Sequence, residues 1–318
     1  MTNDSFDVVV IGGGAAGLSG ALMLARSRRS VLVIDAGAGR NAPADAVHGL
    51  FARDGVAPAE LVARGRDEVR GYGGSLVAGE VTTVTGALDE FTVRLADGRN
   101  SRARRLLVTT GLVDELPDIP GLRERWGRDV VHCPYCHGWE HRDQAIGVLA
   151  SGPIAMHAAL LWRQLSPDVV VFTGTGDAPD DPERLAALGI RVVPGAVAAA
   201  EITGDRMTGV RLTDGTVVAR DALAVPTRMV ARAAFLADLG LRPVPHASGM
   251  GVHIPVDAAG RTDVPGVWAA GNVTDLSAQV GGAAAAGAWA GAQINADLVT
   301  ADADRAVAAY RARAGAPA

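Results

Sequence analysis

Phe6-Asp7-Val8-Val9-Val10-Ile11-Gly12-Gly13-Gly14-Ala15-Ala16-Gly17 decides the fold of this chain. The run from Phe6 to Ile11 is apolar almost throughout, as expected of a parallel strand covered on both faces. It ends in glycines spaced as GxGxxG: Gly12, Gly14 and Gly17. Gly12 suits a tight turn, Gly14 lets backbone approach a pyrophosphate, and Gly17 lets the next helix sit close on the strand. A helix is expected to follow through Leu18 to about Arg26, and its N-terminus offers N–H donors to phosphates. A second strand, Ser30–Ile34, ends in Asp35, 18 residues after Gly17, where a carboxylate can accept from a ribose 2′-hydroxyl. The strand before, the helix after and the acid beyond together mark a dinucleotide-binding unit rather than a glycine-rich turn.

Outward from there, residues 41–55 are polar, glycine-rich and without period, which reads as an irregular loop. His48 within it reads as a surface or packing histidine. Two alternating runs, Glu80–Thr85 and Phe91–Leu95, with Asp97-Gly98 as a turn, predict a hairpin-like insertion. Arg105–Val108 is a further buried strand, ending in Thr109-Thr110-Gly111, and Pro117-Asp118-Ile119-Pro120-Gly121 reads as a linker at a domain boundary. Beyond it the first pattern returns weakly. Ala145–Leu149 is strand-like, Ala150–Ala155 replaces the glycine turn, a helix runs through Trp162, and Asp168–Phe172 leads into Thr173–Asp177. The first glycine there is Ala150, Pro153 sits in the turn, and no basic residue follows the second strand to bind a 2′-phosphate. This unit is expected to keep the fold with nicotinamide binding weakened or lost. Near the end, Gly266–Asp275 is strand, glycine turn and polar cluster, followed by Gln279-Val280 and an Ala-rich helix through Gln293. On composition, that turn reads equally as cofactor-facing or as a tight strand–helix connection.

The centre of the chain carries the chemistry. Cys133-Pro134-Tyr135-Cys136-His137-Gly138-Trp139-Glu140 holds the only two cysteines. That spacing permits a small-ring disulfide that forms and breaks with little backbone motion, exchanging electrons in pairs with another sulfur compound. His132 and His137 flank the pair, and a cysteine near a helix start has its thiolate favoured. A zinc site would need two more ligands, and no second Cys pair exists. A structural disulfide over so short a loop would stabilise little. Redox use is the expected role.

At 318 residues the chain has room for two domains. A hydrophobic fraction of 48% and a net charge of −5 describe an ordinary globular protein with no footprint for nucleic acid. Neither a signal peptide nor a stretch of membrane-spanning length is apparent, and catalytic cysteines point to a reducing cytoplasm. Metal binding is not expected.

With these pieces placed, the chain resembles the low-molecular-weight thioredoxin reductase family over nearly its full length. The resemblance is carried by Gly12–Gly17, Thr109-Thr110-Gly111, the central CxxC and Ala270-Gly271-Asn272. It implies an α/β fold of two Rossmann-like domains: a discontinuous FAD domain, residues 1–117 and 238–318, and an inserted NAD(P)H-type domain, residues 118–237, bearing the CxxC. It implies a homodimer and FAD as cofactor, the glycine motif by itself showing only a dinucleotide. It also implies FAD contacts from Gly12, Gly14, Ala15, Ala16, Gly17, Asp35, Ala36, Arg40, Asn41, His48, Val81, Thr110, Gly111, Gly271, Asn272, Gln279 and Val280. In the family's terms Cys136 lies against the flavin and Cys133 attacks the substrate.

The departures narrow the reading. His137 stands where the family has an acid after the second cysteine, and Asn272 where it has a flavin-contacting Asp. With the degraded central domain, these resemble the dithiol oxidases of the holomycin and gliotoxin type. That resemblance implies closure of an intramolecular disulfide in a small dithiol natural product, with O2 taking the electrons and hydrogen peroxide formed. His137 is then the expected proton shuttle, titrating nearer neutrality than a carboxylate, with His132 second. Glu140 reads as an exposed helix acid, or as the group orienting that imidazole. Two alternatives stand: an NADPH-dependent disulfide reductase, with Arg191 as a replacement phosphate ligand, and a redox-sensing flavoprotein.

Overall fold

A computed structural model describes residues 5–149, 153–174 and 181–314. By compactness the chain divides into two units, one made of residues 1–40, 59–113 and 229–318, the other of residues 41–58 and 114–228. The loop after the second strand thus groups with the unit that carries the cysteines.

In the first unit, β1 (Ser5–Ile11), α1 (Ala15–Arg26) and β2 (Val31–Asp35) form where the sequence places them. β1 is flanked by parallel neighbours on both sides, Val8 opposite Val31 and Val10 opposite Leu107. Its successive side chains point to opposite faces, and both faces are covered. Val8 and Val10 pack with Leu24 and Ile294, while Val9 and Ile11 pack with Phe91 and Ile254. This explains a strand without polar alternation. The strand Asn100–Val108 is longer than the expected Arg105–Val108, because its first half pairs antiparallel with Phe91–Leu95 through the Asp97-Gly98 turn. Its second half pairs parallel with Val267–Ala269, from the far end of the chain. The parallel strands therefore finish together, and Gly12, Asp35, Thr109 and Ala270 follow their C-terminal ends. Ligands bind there in open α/β sheets.

The C-terminal helix runs from Val280 to Ala314, 35 residues, well past the expected Gln293. After Gly291 the sequence has no glycine or proline until Gly315, and its Ala, Leu and Arg residues favour helix. Its N-terminal half crosses α1 at small residues. A Cβ on Gly287 would collide with the Ala16 carbonyl, and one on Gly291 would lie 2.7 Å from the Gly20 oxygen. Farther along, Arg105, 2% exposed, donates to Asp297 at 2.6 Å and Asp89 at 2.7 Å, fastening this helix to the sheet.

The second unit repeats the design. Its five strands are all parallel, in the order 191–193, 169–172, 146–149, 222–224, 130–131. The helix Pro153–Arg163 and the strand Val169–Phe172 bear out the weak internal repeat. Of its expected phosphate turns, Ala150–Gly152 and Thr175–Asp177 lie outside the described residues. A three-stranded antiparallel sheet, beginning at Val197, packs on the unit's other core. No described helix is long and apolar enough to cross a membrane.

Candidate active site

The cysteine pair follows the edge strand Val130–Val131 of the second unit. Cys133 is extended at φ −98°, and Pro134 opens a single helical turn to His137. Proline fits because the first helical residue has no intrahelical use for an N–H. The Cys133 carbonyl accepts from both the Cys136 and the His137 amides at 3.2 Å. The turn brings the two Sγ atoms to 2.7 Å, in position to pair. Gly138 is required by space, since any Cβ there would collide with the Pro134 carbonyl and with Leu165.

His137 is the unusual group. Both of its ring nitrogens are buried, and neither has a hydrogen-bond partner among the described residues. Burial holds its pKa below the ordinary histidine value, nearby His141 adds to the shift, and Glu140 opposes it. A neutral imidazole beside two thiols is poised to accept a proton. His132 is engaged differently: Nδ1 lies 3.1 Å from the Val225 carbonyl, which fixes a proton on that nitrogen. Glu140 does not orient His137. Its Oε1 lies 3.4 Å from Nε2 of His48, whose Nδ1 is 3.5 Å from Asp54. Sequence reasoning missed this pairing, because the partners lie 92 positions apart and nothing in the motif around Glu140 points to His48. Tyr135 and Trp139 are exposed on the same turn, with Arg142 stacked 4.5 Å over the Trp139 ring.

The first unit holds the glycine turn and Asp35. Gly12 has φ +108°, and its missing Cβ leaves room for the Thr109 carbonyl. A Cβ on Gly17 would strike the Gly12 carbonyl and sit 2.6 Å from Thr109 Oγ1. At Gly14, by contrast, no protein atom lies within 4 Å of the Cβ position. That is the open cradle a pyrophosphate needs. α1 starts there with no side-chain cap, so its first amides, at Ala15, Ala16 and Gly17, have no intrahelical acceptor. Asp35 stands at the end of β2 with Oδ2 2.5 Å from Arg66, leaving lone pairs for a ribose. These residues fit a dinucleotide.

The remaining candidates fall in both units. Thr110 Oγ1 donates to the Arg232 carbonyl at 2.6 Å, and the Gly111 carbonyl accepts from the Arg232 amide. Arg40 reaches Met229 Sδ at 3.9 Å, Ala36 is exposed, and Val81 packs at the edge of the sheet core. Asn41 and His48 group with the second unit. Gly271, at φ +80°, sits against Ala16, and Gln279-Val280 opens the C-terminal helix. Asn272 is used internally: its amide nitrogen donates to the carbonyls of Asp275 at 3.0 Å and Ala278 at 2.8 Å. Arg191, the expected replacement phosphate ligand, lies 3.7 Å from Asp168, which Arg220 also holds at 2.7 Å. No group of three metal-ligating side chains occurs among the described residues.

Residues 6–292 match the pyridine nucleotide-disulphide oxidoreductase family. The chain belongs to that family. Among structures of known proteins, it superposes on HlmI with a TM-score of 0.90 and 47% identity, over 98% of each chain. It superposes on an oxidoreductase from Agrobacterium tumefaciens with a TM-score of 0.86 and 37% identity, over 93% of this chain and 99% of the other. Thioredoxin reductase tcpT of Claviceps purpurea is 34% identical across 93% of this chain and 97% of its own. Membership of this oxidoreductase family bears out the sequence-based resemblance to thioredoxin reductase-like flavoproteins and the two Rossmann-like folds.

Proposed function

We propose that this family member is an FAD-dependent dithiol oxidase, closing a disulfide within a small dithiol and delivering the electrons to O2. The observation that carries the reading is His137, a buried imidazole with both nitrogens unsatisfied beside the Cys133–Cys136 pair. A buried polar group without a partner is costly, and a reaction that delivers protons at that point gives it one.

Chemically, a substrate thiolate attacks Cys133 Sγ of the enzyme disulfide, breaking the bond to Cys136 and leaving its thiolate. The second substrate thiol displaces Cys133, releasing the cyclic disulfide and an enzyme dithiol. His137 takes the proton from each substrate thiol as it becomes a nucleophile and passes it to the cysteine thiolate released in that step, Cys136 first and Cys133 second. FAD, held by the Gly12–Gly17 turn, Asp35 and the Gly271 turn, supplies the two-electron relay from enzyme dithiol to oxygen. The balance is one dithiol and one O2 giving one disulfide and one H2O2. A homodimer working in the cytoplasm is part of this reading.

The second reading, an NAD(P)H-dependent disulfide reductase, is favoured by the intact parallel sheet of the second unit. Anaerobic bleaching of the visible flavin band separates the two. Rapid bleaching by dithiothreitol alone, with recovery and peroxide on admitting air, is the expected result. Rapid bleaching by NADPH would restore the reductase, and bleaching by neither would favour a redox sensor.

A further inference from the structure

The segment Val47–Val56 is not irregular throughout. The Val47 amide donates to the Val56 carbonyl at 2.8 Å and the Gly55 amide to Val47 at 2.9 Å, closing a short hairpin. Asp54 braces its inside by accepting from the Gly49 amide at 2.8 Å, and Phe51 projects from the tip, 96% exposed. Val47, 4% exposed, anchors the base of this element, and further attachments fix where the rest of it sits. Two are visible. Pro43 packs at the start of the loop on Gly127, where a Cβ would lie 2.8 Å from the proline ring. His48, at the base of the hairpin, bridges to Glu140, the third residue after His137.

We propose that His48 is a positioning residue: through Glu140 it fastens the Val47–Val56 hairpin to the cysteine turn, making the hairpin a wall of the thiol-exchange site. This rests on the dithiol reading above. The imidazole faces a carboxylate at each nitrogen, Asp54 from its own hairpin and Glu140 from the turn, and His137 is the other titratable group that feels its charge. One side chain thus ties the hairpin's own carboxylate to the carboxylate of the cysteine turn.

The test uses the flavin-loaded full chain, with His48→Gln and Glu140→Gln as variants. Hydrogen exchange over residues 47–56 is expressed as protection factors, and steady-state oxidation of dithiothreitol is followed in parallel. Each variant is expected to lower hairpin protection about three- to fivefold, the size of an exposed ion pair. KM for dithiothreitol is expected to rise by a larger factor than kcat falls, and the double variant to resemble either single one. Protection unchanged in His48→Gln would overturn the fastening. Lowered protection with an unchanged KM would overturn the wall. A wild-type protein that oxidises no dithiol, with hairpin protection still lowered in both variants, would sink the dithiol reading and the wall while leaving the fastening in place.

Discussion

The carbonyl oxygen of Ala16 occupies the space in which Gly287 would carry a side chain. Two helices distant in sequence thus meet backbone to backbone at the start of α1, beside the glycine turn that fits a dinucleotide. Gly287→Ala is expected to push them apart at a cost of about 1–3 kcal/mol, the range for overpacking a tight contact. Urea unfolding would show the loss, and flavin retained through gel filtration would fall with it. A variant of wild-type stability that keeps its flavin would contradict the packing argument.

The thiols and the imidazole have separable roles. Cys133→Ser and Cys136→Ser are each expected to reduce dithiol oxidation to background, because neither half of an exchange can proceed with one sulfur. His137→Gln keeps both sulfurs and is expected to slow turnover by about 10²–10⁴, the usual range for a lost acid–base group. A His137→Gln enzyme within a few-fold of wild type at saturating dithiol would remove the imidazole from the reaction.

His137 also leaves a mark on acid stability. The chain contains no lysine, all 30 of its basic residues being arginine, so near neutrality the titrating charges are chiefly its 7 histidines. Burial lowers the His137 pKa in the folded protein. Below about pH 6.5 the unfolded chain binds a proton here that the folded chain refuses, so stability falls as pH falls until the folded imidazole titrates too. His137→Leu removes that contribution. Comparing urea midpoints at pH 7 and pH 5, the decline on acidification is expected to be shallower in the variant. In wild type, the acid limb of kcat/KM should lie below the ordinary histidine range, since the neutral ring is the working form.

Much of the architecture was legible because it is local or periodic. β1, its glycines and Asp35 lie within 31 residues of one another, and the second unit repeats the same period. The length of the Asn100–Val108 strand was not legible: Asn100 to Arg104 carry no apolar run, and pairing with Phe91–Leu95 makes them strand. Nor was the reach of the C-terminal helix, whose second half is fastened by Arg29 and Arg104 to Asp302. At the site, the cysteine turn and His137 could be named from spacing. The partner of Glu140 could not, since two side chains 92 positions apart meet only once the hairpin is laid on the turn. The sequence also marks Asn272 as a departure from the family without saying what it does.

Asn272 supports a last prediction. Its side-chain nitrogen is surrounded by the carbonyls of Asp275, Leu276 and Ala278, at 3.0, 3.5 and 2.8 Å. Three acceptors demand a donor, so the amide must point its NH2 group inward. It thereby holds the loop that leads from the Gly271 turn into the C-terminal helix. An Asp at this position has no proton to give near neutrality and sets a negative charge against three carbonyl oxygens. Asn272→Asp is therefore expected to destabilise this protein by about 1–3 kcal/mol and to weaken flavin retention. Asn272→Ala loses the hydrogen bonds without adding charge and should be milder. The two variants, compared by thermal unfolding at pH 7, separate donor loss from charge repulsion. An Asn272→Asp protein as stable as wild type would mean that the loop rearranges around the carboxylate, with Asn272 dispensable to its shape.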